Sequence, residues 1–178
     1  MWVAALDFKK AFDTVEHESI WAALKAQGVQ RGYISLLQQL YEGQEATVKT
    51  DVTSRPFRLL QGTKQGDPLS SLLFNALLQH ILEPLITEWQ QKGKGVQLGL
   101  TTVTTLTNLR FADDVLLTSQ TLPRLTTMLE DIVRAAQPHG LELHPSKTKI
   151  LSNQTKRTGR ASSRTARVEG MDLSLIHI

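Results

Sequence analysis

Leu109-Arg110-Phe111-Ala112-Asp113-Asp114-Val115-Leu116-Leu117 sets two apolar half-strands around an acidic pair. That pattern predicts a β-hairpin, because Asp tolerates turn geometry and hydrogen-bonds its own backbone. Alone, the pair is a turn and nothing more. Upstream, Trp2-Val3-Ala4-Ala5-Leu6-Asp7-Phe8 is a second short apolar run, read as a buried strand that ends at a carboxylate. If this strand lies beside the hairpin, Asp7, Asp113 and Asp114 converge.

Convergence has a chemical consequence. Two unit charges about 4 Å apart repel by about 4 kcal/mol at an effective dielectric near ~20. Such a cluster persists when it is protonated, held apart or neutralised by cations. Hard divalent cations such as Mg²⁺ take carboxylate oxygens and bridge to phosphates. Two of them about 3.5–4 Å apart suit an in-line phosphoryl displacement.

The rest of the chain frames these strands. Apolar spacing predicts helices over 18–27, closed by Gly28, and over 34–41 with Ile34, Leu37 and Tyr41 on one face and Gly43 beyond. Segments 46–51 and 55–61 are expected to pair as strands around Thr53-Ser54. A Gly-bearing loop, 61–67, leads to a long helix opening at Pro68, which Pro84 should kink or end. Lys92-Gly93-Lys94-Gly95 is a loop. After the hairpin, Leu122, Leu125, Leu129, Ile132, Val133 and Ala136 follow helical spacing until Pro138 and Gly140, and Lys149-Ile150-Leu151 forms a last strand. The expected class is α+β, an antiparallel sheet with helices packed on one face.

Length allows one domain. There is no cysteine, so disulfides and Cys-ligated metals are excluded. The start lacks the basic region of a signal peptide, and the apolar stretch 69–78 is too short to span a bilayer. The expected setting is therefore intracellular, with no membrane partner. Residues 1–151 are balanced at 15 basic and 15 acidic side chains, so the net charge of +3 comes from the tail. Residues 152–178 are expected to be a disordered basic tail, with an apolar end that resembles vector read-through.

Here a family resemblance enters. Leu6-Asp7-Phe8-Lys9-Lys10-Ala11-Phe12-Asp13 resembles motif A of reverse transcriptases. Gln61-Gly62-Thr63-Lys64-Gln65-Gly66-Asp67-Pro68-Leu69-Ser70-Ser71-Leu72-Leu73-Phe74-Asn75 resembles motif B, Phe111-Ala112-Asp113-Asp114 motif C, and the stretch from Gly140-Leu141 to Lys147-Thr148-Lys149 motif D. All four stand in the family's order, with the flavour of non-LTR (LINE-type) retrotransposons. Ser71 replaces a proline common in motif B, and His144 stands where motif D usually has asparagine.

The resemblance implies a polymerase palm over 1–151, with fingers, thumb and endonuclease regions expected to be missing. It implies an RNA-directed DNA polymerase that adds deoxynucleoside triphosphates to a DNA primer on an RNA template, in the nucleus for the parent element. Asp7 and Asp113 would hold two Mg²⁺ (Mn²⁺ as a substitute), with Asp114 in support and the Phe8 carbonyl as a further ligand. Phe12 would exclude a 2′-hydroxyl, Gln65 and Gly66 would line the nucleotide pocket, and Lys147 would stand near the triphosphate. Blander readings remain: Phe12 as core packing, Lys147 as a solvated lysine, and the whole chain as an inactive relic. An RNA-dependent RNA polymerase is disfavoured by Phe12, and the fragment alone is expected to be inactive. His17, His80, His139 and His144 show no ligand spacing and receive no role.

Overall fold

The computed structural model describes residues 1–64, 66–99, 104–111, 114–153 and 165–177. The length reading allowed one domain, but the chain divides into two compact units, Met1–Lys9 with Ile81–Ile178, and Lys10–His80.

The first unit is built on a sheet with strand order β6-β7-β1-β8-β10-β9. Its strands are β1 (Trp2–Leu6), β6 (Asn108–Phe111), β7 (Asp114–Ser119), β8 (Lys149–Ser152), β9 (Thr165–Val168) and β10 (Met171–His177). In β1, Trp2, Ala4 and Leu6 are buried while Val3 and Ala5 are partly open. That alternation is what a strand with one covered face requires. The cover includes α5 (Leu122–Ala136), which packs on β1, β7 and β9 and buries Leu125, Met128, Leu129, Ile132 and Ala136 at helical spacing. A separate hairpin, β4 (Val96–Leu98) with β5 (Thr104–Leu106), was not foreseen.

Two expectations fail in this unit. Residues Thr165–Val168 and Met171–His177 are strands rather than disordered tail, while 154–164 lie outside the described residues. Ala166, Val168 and Leu173 alternate inward and are buried, a short pattern hidden by its polar neighbours. The sheet is also mixed: β10 runs parallel to β8, and the other pairs are antiparallel.

The second unit holds α1 (Ala11–Thr14), α2 (His17–Ala26), α3 (Arg31–Tyr41) and the short pair β2 (Glu45–Ala46) and β3 (Phe57–Arg58). Its core includes Val15, Ile20, Trp21, Leu24, Ile34, Tyr41, Leu73, Phe74 and Leu77. Gly28, at φ 81, ends α2 as the left-handed cap. The expected strands over 46–51 and 55–61 shrink to two residues each, because Val48, Val52 and Leu60 have no face to cover and remain exposed.

Helix α4 (Pro68–Gln91) runs through Pro84 for 24 residues without ending there. Interior proline costs about 3 kcal/mol. Burial of Ile81, Leu82 and Trp89 on either side of it offsets that loss. By length and apolar content α4 would suffice to cross a bilayer, unlike the shorter stretch read from sequence. Leu73, Phe74, Leu77, Leu78, Ile81, Leu82 and Trp89 on it are buried, while Leu72 is exposed.

Candidate active site

β1 places Asp7. Its ladder with β7 ends at Leu6 opposite Val115. Carried one residue further, that register sets Asp7 beside Asp114, on the less buried face shared with Ala5 and Leu116. Phe111, the ladder partner of Asp114, joins the same face and is exposed. Asp113 lies outside the described residues.

The backbone after β1 is pinned on its other side. The His144 amide donates to the Asp7 carbonyl at 2.7 Å, and the Lys9 amide donates to the Glu142 carbonyl at 2.8 Å. The Asp7 amide donates to Thr148 Oγ1 at 3.3 Å. Peptide groups alternate sides along an extended chain, so those of Phe8 turn toward the β7 side. The Phe8 carbonyl thereby faces away from Leu143, while its ring is buried.

The Asp7 carboxylate is unevenly satisfied. Oδ2 is shielded from solvent and accepts no hydrogen bond. Lys147 Nζ stands 3.6 Å from it, an ion-pair contact too long for a hydrogen bond. An acceptor shielded from water and left without a hydrogen bond costs at most about 1–3 kcal/mol. The cost is less here, because the Asp7 side chain is 40% exposed and Lys147 stands beside it. A hard cation held by Asp7, Asp114 and the Phe8 carbonyl would satisfy it, so these donors fit Mg²⁺ or Mn²⁺. Among the described residues no cluster of three or more acidic, His or Cys ligands occurs.

In the second unit, the half-buried ring of Phe12 packs on Phe74 with centroids 4.9 Å apart. Its carbonyl accepts the Thr63 amide, and the Gly62 amide donates to the Val15 carbonyl at 2.8 Å. Gly62 has φ +87, and a Cβ there would lie 2.6 Å from the Asp13 carbonyl oxygen. Only glycine permits this approach. Gly66, also left-handed, is exposed, and Gln65 lies outside the described residues. Asp67 Oδ1 accepts the Leu69 amide at 2.9 Å at the start of α4. Burial raises the Tyr41 phenol pKa, and the nearby Asp67 charge adds to that.

His17 received no role from sequence, yet its Nε2 donates to the Gly62 carbonyl at 2.7 Å. Ligand spacing could not reveal it, because its partner is a backbone oxygen distant in sequence. The half-buried Asp131 was also missed. It accepts Trp89 Nε1 at 2.8 Å and Lys94 Nζ at 3.1 Å on Oδ2, and Arg134 at 2.9 Å on Oδ1. Burial pushes its pKa up, but these donors and charges outweigh it and hold the carboxyl below the usual range.

The family profile described as reverse transcriptase (RNA-dependent DNA polymerase) matches residues 1–164. Over 148 residues, 82% of this chain, the sequence is 34% identical to the Retrovirus-related Pol polyprotein from type-2 retrotransposable element R2DM of Drosophila melanogaster, and spans 13% of it. It is 36% identical over 155 residues to the corresponding polyprotein of the type-1 retrotransposable element R2 of Nasonia vitripennis, covering 85% of this chain and 14% of that one. The non-LTR flavour of motif C agrees with these relatives. The fold is similar to apo telomerase from Candida tropicalis, with TM-score 0.64 and 14% identity over 97% of this chain and 31% of that one. Telomerase from Candida albicans, solved with a TWJ fragment of telomeric RNA, gives 0.65 and 12% over 97% and 30%. Identities that low speak for fold alone. With motifs A to D in order and the family profile covering most of its length, the chain belongs to the reverse transcriptase family.

Proposed function

We propose that this chain is the palm of an RNA-directed DNA polymerase, which joins deoxynucleoside triphosphates to a primer 3′-hydroxyl on an RNA template during retrotransposition. The observation that carries the reading is Asp7 Oδ2, a shielded oxygen without a hydrogen bond, set by strand register beside Asp114. Asp7, Asp113 and the Phe8 carbonyl would hold two Mg²⁺, with Asp114 in support. Bound there, the ions supply charge neutralisation on the attacking and leaving oxygens.

The protein's own share is positioning. Thr148 and His144 fix the Asp7 backbone, so its carboxylate reaches the site without reorganisation. Lys147 brings a positive charge next to Asp7, suited to a triphosphate oxygen. Phe12 would lie under the sugar and reject a 2′-hydroxyl, while Gln65 and Gly66 would line the nucleotide pocket.

The test is primer extension on poly(rA)/oligo(dT) by a polypeptide carrying residues 1–178 with its flanking sequence. Extension with dTTP should need Mg²⁺ or Mn²⁺ and drop at least about a thousandfold in Asp7→Asn and Asp113→Asn. Undiminished extension in both variants would remove the carboxylates from the reaction. No extension by the unmutated protein favours the relic.

A further inference from the structure

His17 opens α2, and its Nε2 donates to the Gly62 carbonyl at 2.7 Å. A carbonyl only accepts, so Nε2 carries the proton. Tyr41 holds the imidazole edge-on, with centroids 5.1 Å apart, and Trp21 flanks it at 6.3 Å. The peptide it grips is the one that joins Gly62 to Thr63. From that peptide the Thr63 amide, and Thr63 Oγ1 at 3.4 Å, reach the Phe12 carbonyl. One chain of hydrogen bonds therefore runs from His17 through the motif B loop to the backbone that carries Phe12.

We propose that His17 is a positioning residue for nucleotide selection, holding the Gly62–Thr63 peptide and through it the placement of Phe12. The proposal rests on the polymerase reading of Phe12. The rival reading is aromatic packing, in which the ring between Trp21 and Tyr41 matters and the donor does not.

Two substitutions separate them. His17→Phe keeps a ring between Trp21 and Tyr41 and has no donor. His17→Gln loses the ring but carries an amide nitrogen as far along the side chain as Nε2. Loss of one hydrogen bond should speed amide exchange at Gly62 and Thr63 about three- to tenfold in the Phe variant of residues 1–178. In the flanked polypeptide, the dTTP-to-UTP ratio of kcat/KM should fall about three- to tenfold, with kcat on dTTP within about twofold. The Gln variant should match the wild type in both. A Phe variant with wild-type exchange overturns the positioning role, whatever the polymerase does. Faster exchange with an unchanged dTTP-to-UTP ratio confines His17 to local packing and also ends the proposal, as does a Gln variant that fails like Phe. If the wild type extends no primer, the polymerase reading falls instead, and exchange alone still decides whether His17 holds the loop.

Discussion

Lys147 Nζ stands 3.6 Å from Asp7 Oδ2, although Asp7 follows the first strand and Lys147 lies just ahead of β8, far along the sequence. The lysine side chain is 64% exposed, so the attraction is screened by water and weak. If Asp7 is a metal ligand, as proposed, a divalent cation would compete with this lysine for the carboxylate. Lys147→Met should bind Mn²⁺ up to about fivefold more tightly, the ratio that a surface ion pair of at most ~1 kcal/mol allows. Asp7→Asn should abolish binding. Calorimetric titration of residues 1–178 with Mn²⁺ measures both, and weaker binding by the Met variant would contradict the competition.

On the proposed reading, Phe12 would bear on sugar choice. An unpaired buried hydroxyl costs about 1–3 kcal/mol, so excluding it discriminates about ten- to a hundredfold. In the flanked polypeptide, Phe12→Val should lower the dTTP-to-UTP ratio of kcat/KM by about that factor, with a smaller loss on dTTP itself. The half-buried ring on Phe74 should also cost stability. A folded variant with an unchanged ratio would return Phe12 to core packing.

Asp131 ties α4, the turn at Lys94 and α5 together through Trp89, Lys94 and Arg134. Lys94 is 12% exposed at its side chain, so Asp131→Ala strands a largely buried ammonium. The expected loss is about 3–5 kcal/mol, read from the urea midpoint. The acid limb gives a second check. The folded Asp131 pKa is lowered, so its contribution is full above the unfolded value of about 3.9 and disappears as pH falls through the lower folded value. Asp131→Asn should flatten the stability profile in that window. A wild-type slope in the Asn variant would mean that other carboxylates carry the acid transition.

The C-terminal strands make a separate claim. Val168 and Leu173 are fully buried, and β8 is covered on one edge by β10. A chain ending at Asn153 would leave that edge unpaired and forfeit the burial of these two side chains. At about 1.5–3 kcal/mol for each large apolar group, stability should fall by at least about 3 kcal/mol. An unchanged unfolding midpoint would show that Thr165–His177 adds nothing to the fold.

Much of this protein is local and therefore readable from its residues. The short apolar run from Trp2 to Phe8 marked a buried strand, the acidic pair between apolar halves marked a hairpin, and helical spacing marked α5, because short-range composition, side-chain period and turn chemistry act over a few residues. The four motifs named the family without any coordinates.

Pairing is not local, and the tertiary structure alone decided it. Five apolar residues in β1 do not specify which strands flank them. Only the fold sets β1 between β7 and β8, and so brings Asp7 to Asp114 on one side and to Thr148, 141 residues away, on the other. The parallel insertion of β10 is equally invisible in sequence, since a short alternating run gains order only from neighbours that bury it. Proline 84 passed inside a helix for the same reason: burial of Ile81, Leu82 and Trp89 outweighed a local penalty. His17 escaped notice because its partner is the Gly62 carbonyl, an atom every residue carries, whose use is set by packing rather than by residue type.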